Sequence, residues 1–521
     1  MTTDTITPYR SGVQAGRDGF AQLLRAEWTK FRTVRGWVIG MVVAALVTVG
    51  LGLLTANGSH CSVGPFPGDT TSHPCTAPLG PGGQAVTDSF YFVHQPLDGN
   101  GSITVRVTSL TGVIRSTQGG GQPTSSLMPW SKAGIIIKET TKQGSAYAAM
   151  MVTGSHGVRM QYNYTHDTAG LAGAVSVASP RWLRLTRSGD LLTGYASADG
   201  TNWTRVGTAH LAGLPATVQA GLFAASPDYT VQTQHLGGGS STGGPTVATA
   251  AFDQVGLQGT QPGGGWSGTE LSTQLGPPGP TPGGFRQAGS GFTVSGSGDI
   301  APDTNIATPI EDTLTGAFGG LIALIVVATM FITAEYRRGL IRITLAASPR
   351  RGRVLAAKAI VIGLVTFVAG LAAAAVVVPL GGRILRHNGN FLNPPPLLTE
   401  LRVVAGTAAL LAVAAVLALA VGTMLRRSAG AVTVVIAAIV LPYILATASV
   451  LPAGPSQWLL RLSPAAGFAI QQSIPHYPQV STPSVPGRDY PLAPWAGFAV
   501  LCAYAAVAMG VAVLLLRRRD A

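Results

Sequence analysis

Residues able to do covalent or metal chemistry are sparse in this chain and lack the spacings such chemistry needs. No Ser/His/Asp set and no paired-carboxylate motif stands out, so no catalytic residue is expected. No cysteine or histidine spacing resembles a zinc site. Asp167, Asp190, Asp199 and Asp228 offer oxygens of the kind calcium prefers. None falls in an EF-hand-like spacing, however, and solvated turn carboxylates explain them more simply, so no metal site is expected. A G-x-x-x-x-G-K-[ST] phosphate loop is missing too, which argues against ATP binding by this chain itself. Trp130, Trp182, Trp203, Tyr162 and Tyr164 could stack on sugar rings or could fill a β-sandwich core, the plainer reading. Cys61 and Cys75 lie close enough for a disulfide around a short Gly- and Pro-containing loop, the alternative being two unpaired thiols. Cys502 reads as a small packing residue.

The elements that must carry these residues follow from hydropathy. A mean hydropathy of +0.34 with 11% charged residues is too apolar for a soluble protein of 521 residues. The apolar residues collect near the N-terminus and after residue 313, with a Gly-, Ser-, Thr- and Pro-rich stretch between. A bilayer core of about 30 Å needs about 20 apolar helical residues. Six stretches qualify: 37–56, 314–334, 355–380, 403–425, 429–451 and 492–516. The charged leader, 1–36, is longer than a signal-peptide n-region, and no clean A-x-A site follows the first span. Arginine and lysine cluster in the leader, around 337–358, at Arg426 and Arg427, and at 517–519, whereas the alternate loops are poorer in them. The positive-inside rule then places both termini in the cytoplasm and the insert between spans one and two on the outer face of the plasma membrane. Residues 57–312 hold 11 basic and 14 acidic residues, so the net charge of +13 resides at the cytoplasmic membrane surface. It suits anionic lipid headgroups, and no nucleic-acid partner is expected. The spans contain almost no ionisable side chains, which disfavours an ion-coupled carrier.

The insert reads as all-β. Short runs at 102–108, 133–138, 146–152, 158–164, 182–188, 191–197, 203–209, 218–224 and 246–255 alternate between turn signals such as Asp199-Gly200. A two-sheet sandwich over 83–258 is the expected architecture, with a loop interrupting it at 237–245. It is preceded by an external linker at 57–82 and followed over 259–312 by a Gly/Pro-rich linker plus one strand, at 291–300. Asp88-Ser-Phe-Tyr-Phe-Val-His-Gln-Pro-Leu97, Trp130-Ser-Lys-Ala-Gly-Ile-Ile-Ile-Lys-Glu139 and Gly194-Tyr-Ala-Ser-Ala-Asp-Gly-Thr-Asn-Trp203 resemble concanavalin-like (laminin-G-like) jelly-roll modules. In such modules the Phe-Thr-Val-Ser-Gly-Ser-Gly-Asp-Ile strand precedes the Asp-Ser-Phe segment, whereas here it follows the domain.

Two segments on the basic side carry a second resemblance. Phe20, Leu23, Leu24, Trp28 and Phe31 recur at helical spacing, with Arg25, Lys30 and Arg32 opposite, as in an interfacial amphipathic helix. After span two comes Ala334-Glu-Tyr-Arg-Arg-Gly-Leu-Ile-Arg-Ile-Thr-Leu-Ala-Ala-Ser-Pro-Arg-Arg-Gly-Arg353. Ser348 suits a helix N-cap and Pro349 a first turn, leaving a short basic helix at about 336–345. The amphipathic helix resembles the elbow helix, and the loop 335–354 the coupling-helix region, of ABC permeases of the second export class, over residues 20–56 and 313–519. The family's own ABC signature, Leu-Ser-Gly-Gly-Gln, is not in this chain, which therefore resembles the transport subunit rather than the enzyme.

That resemblance implies an exporter permease working with a separate ATPase, which would hold ATP and Mg, and with a second permease half as homo- or heterodimer. No cofactor is expected in this chain. Glu335, Tyr336, Arg338, Gly339 and Arg342 would lie at or near the ATPase-coupling contact, supported by Arg351 and Arg353. Leu24, Trp28 and Phe31 would seat the elbow helix in membrane lipid. The family also places short helices between spans five and six, and residues 458–474 suit them. An envelope carbohydrate or an accessory protein is the candidate partner of the insert. Two other classes compete: a surface receptor merely anchored by its spans, and a membrane enzyme acting on envelope polymers.

Overall fold

The computed structural model describes residues 19–63, 73–114, 124–235, 238–260, 263, 265–272, 283–347, 350–448, 451–480 and 490–518. Its helices are α1 (Phe20–Thr33), α2 (Arg35–Gly58), α3 (Gly316–Arg337), α4 (Leu340–Ala347), α5 (Arg351–His387), α6 (Leu397–Leu425), α7 (Ser428–Thr447), α8 (Ala453–Leu462) and α9 (Pro494–Arg518). Six of these, α2, α3, α5, α6, α7 and α9, are long and apolar enough to cross a membrane. Six spans interrupted by an inserted β-sandwich, the architecture expected above, are what the structure shows.

The bundle packs through small residues. A Cβ placed on Gly316 of α3 would meet Thr48 O of α2 at 2.1 Å, and one on Gly320 would meet Thr48 Oγ1 at 1.9 Å. Only glycine lets these two backbones approach so closely. Leu321, Ile325 and Ile332 of α3 share one core with Leu411, Ala415 and Ala418 of α6 and with Leu501 and Ala505 of α9. The α6–α7 hairpin is tight because Arg426 adopts the left-handed conformation (φ 58°) and its N–H returns to Gly422 O at 2.9 Å. The helix α5 runs past its apolar centre at both ends. Its Arg351, Arg353, Arg383 and Arg386 extend it with stems that can reach water. Ser348 and Pro349 lie outside the described residues, and α5 begins at Arg351. Between α7 and α9 stand α8 and a 3₁₀ turn, Pro464–Gln471.

The insert is organised around one 25-residue strand, Phe90–Ile114, which turns at Gly99 (φ 63°) from one layer into the other. Its first half pairs with Thr217–Ala225, beyond which lie Lys132–Lys138, Tyr147–Thr153 and Val158–Tyr162. Its second half pairs with Arg181–Ser188, followed by Leu191–Ser197 and Thr204–His210, and with Thr246–Thr260 on the other side. Alternation places Val93, Ile103, Val105, Leu183, Leu185, Ile135, Ile137 and Met150 in one core between the layers. The strands Lys132–Lys138 and Tyr147–Thr153 are buried on both faces. Their outer face carries a second small core that includes Val86, Tyr147, Tyr164 and Ile300.

Two segments differ from the sequence reading. Residues placed in a loop at 237–245 include the strand Gly238–Gly244, which pairs with Tyr229–His235. Within the region assigned to a linker, Ser267–Leu271 pairs with the start of the long strand, and Gly284–Ala288 pairs with Gly291–Gly296. Glycine-rich composition hid them, because in Gly238–Gly244 no apolar alternation marks the strand, and elsewhere only isolated apolar residues such as Leu271 and Phe285 reach a core. Chain entry and exit meet: Val86–Asp88 pairs with Ile300–Pro302. Two buried ion pairs fasten this ribbon to the sheet, Lys138–Asp88 at 2.7 Å and Lys132–Asp299 at 2.5 Å. Burial pulls the Lys138 ammonium below its ordinary value against the attraction of Asp88.

Candidate functional site

Lys358 stands two turns into α5, in the run Val354-Leu-Ala-Ala-Lys-Ala-Ile-Val-Ile362, and its side chain is 0% exposed. An ammonium in that setting needs carboxylate partners. It finds two: Nζ donates to Glu27 Oε2 of α1 and to Glu335 Oε1 of α3, each at 2.6 Å. Lys30, one turn beyond Glu27, donates to Glu27 Oε1 at 3.0 Å and to Glu335 Oε1 at 3.3 Å, and its Nζ reaches Thr344 Oγ1 of α4 at 3.5 Å. Two carboxylates and two ammoniums thus join α1, α3 and α5, and the Thr344 hydroxyl brings α4 to their edge. The Phe331 ring lies 5.0 Å from Lys358 Nζ and packs edge-on against Phe31 and Trp37 at 6.0 and 5.8 Å. Burial pulls Lys30 down, but Glu27 and Glu335 together outweigh it and hold the ammonium above its ordinary value.

The junction between α3 and α4 lies beside this group. The last turn of α3 closes with Arg338 N–H on Ala334 O (3.1 Å) and Gly339 N–H on Tyr336 O (3.2 Å). Gly339 is left-handed (φ 66°), the usual helix stop, so α4 departs in a new direction. Tyr336 packs beside Ile341 and Val354, and the Arg426 guanidinium of the α6–α7 turn lies 5.2 Å from its ring. Of the residues singled out in sequence, Glu335 points into the ionic group and Tyr336 against its neighbours, while Arg338 and Arg353 are exposed. Arg351 donates to Leu516 O of α9. Arg342 belongs to α4, and its side chain lies outside the described residues. On α1, Phe31 is buried, Leu24 packs against the bundle core, and the exposed Trp28 stacks on Phe31 at 6.4 Å.

Sequence spacing does not gather Glu27, Lys30, Thr344 and Lys358 into a set, and it assigns Lys30 to the polar face of α1, whereas the structure turns Lys30 toward Glu27 and Glu335. Their signal is nonetheless there. Glu27 follows Leu23 by four residues and precedes Phe31 by four, which sets a carboxylate on the apolar stripe. A lysine interrupting an apolar run and a carboxylate on an apolar stripe are natural partners.

At the other end of the bundle, Cys61 and Cys75 form a disulfide. Their backbone N–H groups donate to Asn388 O and Gly389 O just beyond α5, both at 3.1 Å. Among the aromatic candidates of the insert, Trp130 is buried beneath His156 and Tyr164 is buried with its hydroxyl on Asp88 Oδ2 at 2.7 Å. Trp182 and Trp203 are half-buried, with Arg184 stacked 3.9 Å from the Trp203 ring. Asp167 pairs with Arg159, and Asp199 accepts Asn202 N–H at 2.8 Å, Asn202 Nδ2 at 2.6 Å and Thr201 N–H at 2.8 Å, which together hold its carboxyl below the usual range.

Among curated proteins no relative matches. Solved structures similar to this chain include a functionally unknown protein from Saccharomyces cerevisiae, at 19% identity over 34% of this chain and 77% of that one (TM-score 0.22). They also include a mutant of the GH43 protein BlXynB from Bacillus licheniformis, at 17% identity over 24% of each chain (TM-score 0.16). Scytalido-glutamic peptidase matches at 9% identity over 40% of this chain and 98% of its own (TM-score 0.24). A family model described as "ABC-2 family transporter protein" matches residues 144–521, which takes in much of the β-rich insert and the whole bundle from α3 to α9.

Proposed function

The chain belongs to the ABC-2 transporter family, and from that premise we propose that it is the membrane-spanning permease subunit of an exporter driven by a separate ATPase. The bundle end bearing Arg25, Arg32, Arg338, Arg353, Arg427 and Arg517 then faces the cytoplasm and the β-sandwich the outside, in accord with the positive-inside rule. In this reading α4 receives the ATPase, whose ATP and Mg remain on its own chain, and a second permease half completes the pathway. The observation that carries the reading is the ionic junction of Glu27, Lys30, Glu335 and Lys358, which ties α1 to α3 and α5 and which α4 joins through the hydrogen bond from Lys30 to Thr344. A push on α4 would reach α1 at Lys30, beside Glu27, and pass to α3 and α5 through the buried Lys358 pairs, which cannot separate cheaply. The exposed Arg338 and Arg353 and the α4 residue Arg342 offer the docking charge. On the outer side, the Trp182, Arg184 and Trp203 face supports a carbohydrate or accessory protein as partner of the insert.

The test is association. Reversing charge in R338E/R342E should abolish co-purification of the ATPase subunit in detergent while the permease stays monodisperse. Undiminished co-purification would remove α4 as the docking element.

A further inference from the structure

A polar cavity of about 580 Å³ opens at the β-domain end of the bundle, between the start of α6, the helix α8 and the segment leading into α9. Its lining includes Arg402, Gln457, Arg461, Gln472 and His476, and no aspartate or glutamate. Neither arginine has a carboxylate partner among the described residues. Arg402 donates to Gln472 O, and Arg461 lies 5.5 Å from the Trp458 ring. The Nε of each is buried without an acceptor. A buried guanidinium N–H lacking an acceptor is costly, and two guanidinium charges lining one cavity without a carboxylate favour an oxyanion there. A carboxylate behind the wall is Glu311, which adjoins the lining residue Ser473. It accepts Ser473 N–H at 2.9 Å and forms no ion pair with either arginine among the described residues.

The rim says where the oxyanion comes from. Exposed Leu398, Trp458 and Trp495 each adjoin a lining residue (Thr399, Gln457 and Pro494). Exposed tryptophans at a span end mark headgroup depth. On the opposite side of α8, Trp458, Leu459 and Leu462 border an apolar groove of about 930 Å³ that runs along α6, α7 and α9. Headgroup charge and acyl-chain space therefore meet at a single short helix.

We propose that Arg402 and Arg461 hold the phosphate oxyanion of an anionic phospholipid from the leaflet on the β-domain side. The site is independent of the exporter reading and requires only that the bundle span a membrane. The test uses the full chain exchanged into mixed micelles of phosphatidylglycerol and phosphatidylcholine, with retained lipid read by native mass spectrometry. The wild type is expected to retain phosphatidylglycerol preferentially. R402Q/R461Q should lower that preference at least about tenfold, R402K/R461K should keep most of it, and T399W, which fills the cavity without removing charge, should abolish it. Equal retention of the two lipids by the wild type would overturn the proposal, as would an unchanged preference in a monodisperse R402Q/R461Q protein. Added inorganic phosphate should leave the retained lipid in place. Displacement by it would mean that the arginines serve a free oxyanion and would overturn the lipid assignment.

Discussion

At Lys358 an ammonium and two carboxylates occupy a space that water does not reach, so the cost of changing one member is set by what remains. Lys358→Met leaves Glu27 and Glu335 facing each other across a buried gap with only Lys30 between them. That variant should lose about 3–5 kcal/mol of stability. Glu27→Leu combined with Lys358→Met keeps one carboxylate for Lys30 and should lose less, a non-additivity that thermal unfolding of the double variant in detergent would measure. The linkage to pH runs through Lys30, whose value is raised in the folded protein. Its pairing contributes fully below the ordinary lysine value of 10.5 and is lost as pH rises above it. The difference in melting temperature between wild type and Lys30→Met should therefore be constant near neutrality and vanish at strongly alkaline pH. Single residues were the least legible layer of this sequence. Glu335 could be placed near the junction by its neighbours, yet its direction depends on Lys358, 23 positions away, and on Glu27, which comes from another part of the chain.

Elements were far more legible, because the membrane imposes a length and the pleat imposes a period. Apolar runs located six spans, and alternation in Trp182-Leu-Arg-Leu-Thr-Arg187 located a strand whose Leu183 and Leu185 enter the core. What escaped was structure without side-chain pattern, as in Gly238–Gly244, and helix direction after a break, as at Gly339. The left-handed Gly339 sets the angle of α4. Gly339→Ala meets no neighbour but forces a β-carbon into that conformation, and should cost about 1–2 kcal/mol. If α4 is the docking element, the same variant should weaken ATPase co-purification while leaving the charge unchanged. Gly316→Val tests a different contact, since its side chain would collide with the α2 backbone at Thr48 O. It should lower stability by about 1–3 kcal/mol, measured by thermal unfolding beside the exposed Gly36→Ala, which has open space and serves as a control.

At the scale of the molecule, sandwich and bundle are fastened at several points. Gln479, after the 3₁₀ turn, donates to Tyr164 O at 3.1 Å, and Thr308 bridges to Leu392. Gln84 donates to Asn163 O at 3.2 Å, bracing the entry segment against the sheet. Cys61 and Cys75, which close the loop between them, rest on the residues following α5. Cys61→Ser/Cys75→Ser should leave both cores folded and loosen only this loop, read as faster amide exchange at 388–390 with an unchanged far-UV spectrum. The cysteine pair is legible in sequence, but where it is seated and the other contacts are not, since each joins segments tens to hundreds of positions apart through one or two polar groups. The paired strands Val86–Asp88 and Ile300–Pro302 have a further consequence. Neighbouring strands stand about 4.8 Å apart, so more than two hundred residues are lodged in a helical hairpin through an opening no wider than a β-turn. A graft of that kind asks of its host little more than two chain ends brought side by side, the remaining contacts with the bundle being made by a few polar groups such as Gln479.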